Sequence, residues 1–347
     1  MRDYRCILAS LLFVPALQIL LVSLLCAGEK GAVHTSTRRK QSIVVTQRDF
    51  HEWKAIVLHN RAAEAVIVPD IGRIMQFDLI DRKRGHARGP FWSNPAIDRL
   101  KPDTEGWVNY GGDKSWPSPQ AQWERIAGRA WPPPKAFDAL PYRASIKVDK
   151  VELLSAADSD YGIRVRRTIS LDAEKPVMTI ETAYEKVEGA PIRVGIWIIT
   201  QLVPPDRAFI LLPEHSALQE GYTSFLPVLP KDFKIDGRLL SLARASENKS
   251  LIGTEGKALL WVGDGPDLLI EDITPPPASG PEEWPDRGSH AKIYTNSDEL
   301  KYIELELLDR LYYLKNGERA TMRVVYTLIP RTEADPIREA KKVFSLR

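Results

Sequence analysis

Tyr302-Ile303-Glu304-Leu305-Glu306-Leu307 alternates polar and apolar residues without a break. Successive side chains of a strand point to opposite faces, so Tyr302, Glu304 and Glu306 share one face and Ile303, Leu305 and Leu307 face a core. The same period recurs along the chain. Ser42 to Thr46, Lys54 to His59, Glu64 to Pro69 and Ile74 to Ile80 form a first cluster. Ile146 to Leu154, Tyr161 to Leu171, Val177 to Val187 and Ile192 to Val203 form a second. Lys257 to Val262, Leu268 to Ile273, Ala291 to Thr295 and Thr321 to Ile329 accompany the opening stretch near the end. β-Branched and aromatic residues at period two, separated by Gly, Pro, Asp and Asn, are a strand signal. More than a dozen such segments without alternating helices predict an all-β domain of antiparallel sheets. Helix signals are confined to Asp335–Phe344, with Pro336 suited to a first turn, and to a short piece from Pro119 to Ile126. There is no repeat of the propeller or solenoid kind.

The first 28 residues have another logic. Arg2 and Arg5 precede an apolar run from Ile7 to Ala27, and the polar Glu29-Lys30 follows. A basic start, an apolar middle and a small-residue exit make a secretory signal, with cleavage expected after Gly28. The run is also long enough to span a bilayer, so an uncleaved anchor is the alternative. Residues 29–41 are expected as a linker and 42–347 as a single domain. Both cysteines, Cys6 and Cys26, lie in the leader, which excludes disulfides and thiolate chemistry from residues 29–347. The net charge of +2, to which the leader adds one positive, gives no electrostatic footprint for nucleic acid. A membrane is expected to meet the chain only through its leader.

Two long stretches lack strand periodicity, about 82–142 and 274–289. Long irregular loops on a compact domain are uncommon and often functional, and sheet-edge covers are the alternative. The first holds five of the nine tryptophans: Trp92, Trp107, Trp116, Trp123 and Trp131. Asn109, Asp113, Lys114 and Gln120 are interleaved with them. An indole packs on the C–H face of a pyranose, and such polar groups serve its hydroxyls, so the window reads as a carbohydrate site. The competing reading is a set of plugs for the open end of a sandwich.

The stretch Tyr110 to Gln120, with Gly111-Gly112 and Trp116-Pro117, resembles the Gly-Gly-x-x-x-Trp-Pro segment of sugar-phosphate epimerases in the galactose mutarotase (aldose epimerase) superfamily. Val68 to Ile74, with Gly72-Arg73, resembles that superfamily's early strand. Lys292-Ile293-Tyr294-Thr295-Asn296 and the strand of Glu304 and Glu306 resemble its late strands. The order agrees over most of 42–330, and the chain resembles in particular an exported bacterial family of mutarotase-like domains. The resemblance implies a β-supersandwich of two large antiparallel sheets with a short C-terminal helix, holding a sugar on a concave sheet face. It implies a glutamate that takes the anomeric proton and a histidine that protonates the ring oxygen. Glu304 fits the first role.

The histidine is missing from the matching central strand, Arg193 to Gln201, whose alternation puts Arg193, Trp197 and Gln201 on one face. Of six histidines, His290 is the expected substitute acid and His215 the second choice. The expected binding residues are Arg73, Asn109, Lys114, Trp116, Gln120, Arg193, Trp197 and Glu306. Lys114 and Arg193 also suit an acidic sugar or a phosphate. Glu282, Glu283, Asp286 and His290 show no metal-ligand spacing, and no cofactor or metal is expected. The reading is of an exported carbohydrate-binding protein. An aldose 1-epimerase-type isomerase and a non-catalytic envelope scaffold are the alternatives.

Overall fold

A computed structural model describes residues 43–346, apart from 82–84, 87–88, 102–106, 245–246, 266 and 275–282. The leader and the whole of the expected linker lie outside the described residues. The described residues belong to one compact unit, Lys40–Arg347.

Strands dominate, and they form two antiparallel sheets of twelve and ten strands. The larger sheet runs Val44–Phe50, Trp53–His59, Ala63–Val68, Arg73–Asp81, Asp113–Ser118, Ile192–Leu202, Ile303–Leu308, Ala291–Thr295, Ser250–Thr254 and Thr223–Ser224 along its main path. At the centre of the smaller sheet, Asp267–Thr274, Arg319–Pro330, Val177–Lys186 and Ile163–Leu171 are successive neighbours. This is the two-sheet supersandwich that the resemblance implies.

The alternation of the opening stretch holds. Ile303, Leu305 and Leu307 are fully buried and join a core with Val165, Met178 and Val324 of the smaller sheet. Glu304 and Glu306 therefore point to the face turned away from that sheet. The strand is interior, flanked by Ile192–Leu202 and Ala291–Thr295, so its carboxylates do not lie on a solvated outer strand.

The C-terminal helix is Pro336–Val343. Asp335 caps it, its Oδ1 accepting from Ile337 N (2.8 Å) and Arg338 N (3.0 Å). Ile337 and Val343 pack on Phe209, Leu239 and Leu260, covering part of the smaller sheet. The short helix near Pro119 is a 3-10 turn, Gln120–Gln122, running into Trp123–Ala127.

The long stretch from 82 holds a strand that periodicity does not reveal. Asp113–Ser118 pairs with Ile192–Leu202 in the middle of the larger sheet, and all six of its residues are buried. The two glycines before it set its path. Both have positive φ, and a Cβ would collide with the Trp92 carbonyl at Gly111 and with the Ile74 carbonyl at Gly112.

Buried polar groups link the sheets beneath this strand. Arg167 of the smaller sheet pairs with Asp113 Oδ1, and Tyr326 donates to Asp113 Oδ2 (2.6 Å). Thr200 lies 3.1 Å from both Asp113 Oδ2 and Glu271 Oε2. Burial, reinforced by Asp113, pushes the Glu271 carboxyl well above its ordinary pKa.

Candidate functional site

Strand register assembles the floor of a cavity. Trp197 pairs with Trp116 on one side, Gln201 with Glu304 on the other, and Glu306 and Glu304 pair in turn with Lys292 and Tyr294. On this face, aromatic, acidic and cationic side chains lie side by side over a cavity of about 980 Å³. Ligand sites commonly span about 300–1,000 Å³, so the space admits more than one sugar ring.

The walls come from loops. Trp107, Gln120 and Trp131 enter from the first long stretch, and Asp286 and Arg287 from the second. Trp116 is the hub of the aromatic wall, meeting Trp107, Trp123, Trp131 and Trp197 edge-on at centroid distances of 5.4–6.4 Å. Its indole N–H donates to Asp138 Oδ1 (2.7 Å), which also accepts from Arg73 (2.7 Å). Trp131 is 46% exposed and presents ring surface at the mouth.

Both glutamates are held from one side only. Glu304 Oε1 accepts from Gln201 Nε2 (2.8 Å), with Lys114 Nζ at 3.5 Å. Glu306 Oε2 accepts from the Trp197 indole (2.9 Å) and lies 2.9 Å from Lys292 Nζ. Glu304 Oε2 and Glu306 Oε1 accept no hydrogen bond from any described residue.

Burial pushes Glu306 up to about 7; Lys292 pulls the other way, and Glu304 adds to the rise. Burial opposes the Lys292 charge, but Glu306 and Asp286 outweigh it and hold its pKa above the ordinary lysine value. Lys114 goes the other way: burial lowers its pKa despite Glu304. Near neutral pH, Glu306 is therefore poised to gain or lose a proton, as a general acid or base requires.

Six of the ten residues expected from sequence meet at this place. Glu304, Glu306, Trp116, Trp197 and Gln120 line the cavity, and Lys114 stands behind Glu304 with its ammonium 4.6 Å from the Trp116 ring centre. The other four do not line it. Arg73 is fully buried, bonded to Asp138 and the Gly111 carbonyl (3.0 Å), and acts as the backing of Trp116. Asn109 is buried, its carbonyl accepting from Asn94 (2.7 Å). Arg193 pairs with Glu283, because its place near the start of the strand lies beyond the cavity. His290 sits with its ring centre 3.6 Å from that of Trp284. His215 is exposed on a loop, and no histidine among the described residues lines the cavity.

Lys292, Tyr294, Asp286 and Phe225 also line the cavity and were not expected as site residues. A period-two signal was present for Lys292 and Tyr294, on the face shared with Glu306 and Glu304. Phe225 follows the two-residue strand Thr223–Ser224 and carries no such signal. The tryptophan window divides between its two readings: Trp107, Trp116 and Trp131 line the cavity, while Trp123 is fully buried and donates to the Pro117 carbonyl (2.8 Å). Among the described residues, no group of His, Cys, Asp and Glu is arranged to hold a metal ion.

No protein-family profile matches the sequence, and no curated protein sequence matches it. Among solved structures, a galactose mutarotase-like protein from Lactobacillus casei is similar over 79% of this chain and 100% of its own, at 11% identity and a TM-score of 0.52. A candidate mutarotase from Salmonella typhimurium is similar over 83% of this chain and 94% of its own, at 9% identity and a TM-score of 0.51. At such identities the likeness is one of fold. The chain has the galactose mutarotase-like fold.

Proposed function

We propose that this is an exported carbohydrate-binding protein that holds a sugar over the Glu304–Glu306 face of its larger sheet. One observation carries the reading: indole rings from the first long loop and two buried carboxylates from a late strand line the same cavity. A pyranose needs an apolar ring face and a set of acceptors at its edge, and this cavity offers both. Export rests on the leader in the sequence. The test is calorimetry of the leaderless protein against neutral, amino and acidic mono- and oligosaccharides. Binding that weakens in Trp131→Ala supports the reading, and no binding of any sugar at millimolar concentration overturns it.

A second reading, an epimerase-type isomerase, is favoured by Glu306 alone. With its pKa near 7 it stands beside Glu304 and supplies the acid–base capacity that no cavity histidine provides. Polarimetry on freshly dissolved glucose and galactose decides it: rates unchanged by the protein exclude turnover of these sugars.

A further inference from the structure

We infer that the preferred ligand is an amino sugar carrying a free ammonium group. This rests on the sugar-binding reading above and narrows it to a chemical class.

The cavity lining carries more acidic than basic side chains. Five carboxylates line it, Glu124, Asp286, Asp298, Glu304 and Glu306, against three cations. The cations are committed or peripheral. Lys292 is held between Asp286 (2.7 Å) and Glu306 (2.9 Å). Arg287 lies over the Phe225 ring, 5.0 Å from its centre, and Lys249 is exposed at the edge. Lys114, behind the floor, already faces Glu304 Oε1.

What remains open is Glu304 Oε2, on a largely buried side chain, and Glu306 Oε1, on one that is 2% exposed. Each glutamate is fixed through one oxygen and, when ionised, offers the other as an acceptor. An ammonium supplies three donors and a positive charge to such oxygens, and charge-assisted bonds are about twice as strong as neutral ones. The neighbouring indoles favour the same partner. Trp197 and Trp116 already hold lysine ammonium groups 4.0 and 4.6 Å from their ring centres, so this wall accommodates cations. A uronic acid or a sugar phosphate would instead set its anion against the floor carboxylates. Lys114 and Arg193, the residues that suggested an acidic ligand, are taken by Glu304 and Glu283.

The experiment is calorimetry on the leaderless protein at pH 7. The probes are glucosamine, N-acetylglucosamine, glucose and glucuronic acid, the β-1,4-linked dimers of the first three, and the matching galacto monosaccharides. The amine-bearing member should bind at least about tenfold tighter than its N-acetylated and neutral counterparts. That gap should shrink in 0.5 M salt and close in Glu304→Gln, with Glu306→Gln as the second variant. Equal or tighter binding of a neutral, N-acetylated or acidic probe overturns the inference and leaves the sugar site standing. A gap that survives in both glutamine variants overturns it too, since the carboxylates would not be its source. No binding by any probe removes the sugar reading itself.

Discussion

The ammonium of Lys292 stands 2.9 Å from Glu306 Oε2 and 4.0 Å from the centre of the Trp197 ring, so one lysine joins a buried carboxylate to the aromatic wall. Removing it leaves Glu306 and Asp286 without their cation. Lys292→Met is expected to lose roughly 3 kcal/mol at pH 8, where Glu306 is ionised. The loss should be clearly smaller at pH 5, where Glu306 holds a proton and needs no partner. Urea denaturation at the two pH values checks this, and equal losses would contradict the pairing.

The pKa of Glu306 makes stability depend on pH. The folded protein binds this proton more tightly than the unfolded chain, whose carboxyl titrates near 4.5. The stabilisation is complete below pH 4.5, fades as pH rises through 7, and is gone above it. Relative to Glu306→Gln, the wild type should therefore lose on the order of 3 kcal/mol between pH 4 and pH 8. Parallel stability curves for the two proteins would show that Glu306 titrates normally.

Two tryptophans on the same wall should behave differently. Trp131 is half-exposed, so Trp131→Ala is expected to weaken sugar binding by about tenfold with little change in melting temperature. Trp116 is buried and bonded to Asp138, so Trp116→Ala should cost about 3–5 kcal/mol of stability. Calorimetry and thermal melts on both variants separate the roles. A large melting shift in Trp131→Ala would mean that it is a plug.

Beneath the floor, Asp113→Asn removes the counter-charge of the fully buried Arg167. A loss of about 3–5 kcal/mol is expected by chemical denaturation. A loss under 1 kcal/mol would mean that Tyr326 and Thr200 hold the sheets together without the ion pair.

Strands such as Ile303–Leu308 and Ala291–Thr295 were legible because each lays one face on the core, and burial then writes itself as alternation. Asp113–Ser118 was hidden for the opposite reason. Both of its faces are buried, but by specific polar partners: Asp113 by Arg167, Lys114 by Glu304, Ser115 by Tyr184. No hydrophobic period records such an arrangement. The site was legible in outline because Glu304, Glu306 and Trp197 follow strand parity. Arg193 keeps that parity too, but parity gives the face and not the position along it. His290 misled because nearness in sequence to the Tyr294 strand does not fix where its ring packs. The reach of Phe225 and Asp286 into the cavity depends on loop paths that no local pattern encodes.

The polar contacts of Asp113 and Thr200 tie two adjacent floor strands to three strands of the opposite sheet, those of Arg167, Glu271 and Tyr326. Bending the floor would pull a buried ion pair apart. The strand-borne half of the binding surface is thus a fixed template, cast when the chain folds. Adjustment to an incoming ligand falls to the loops that carry Trp131 and Arg287, which makes loop exchange between related chains the natural route to a new specificity.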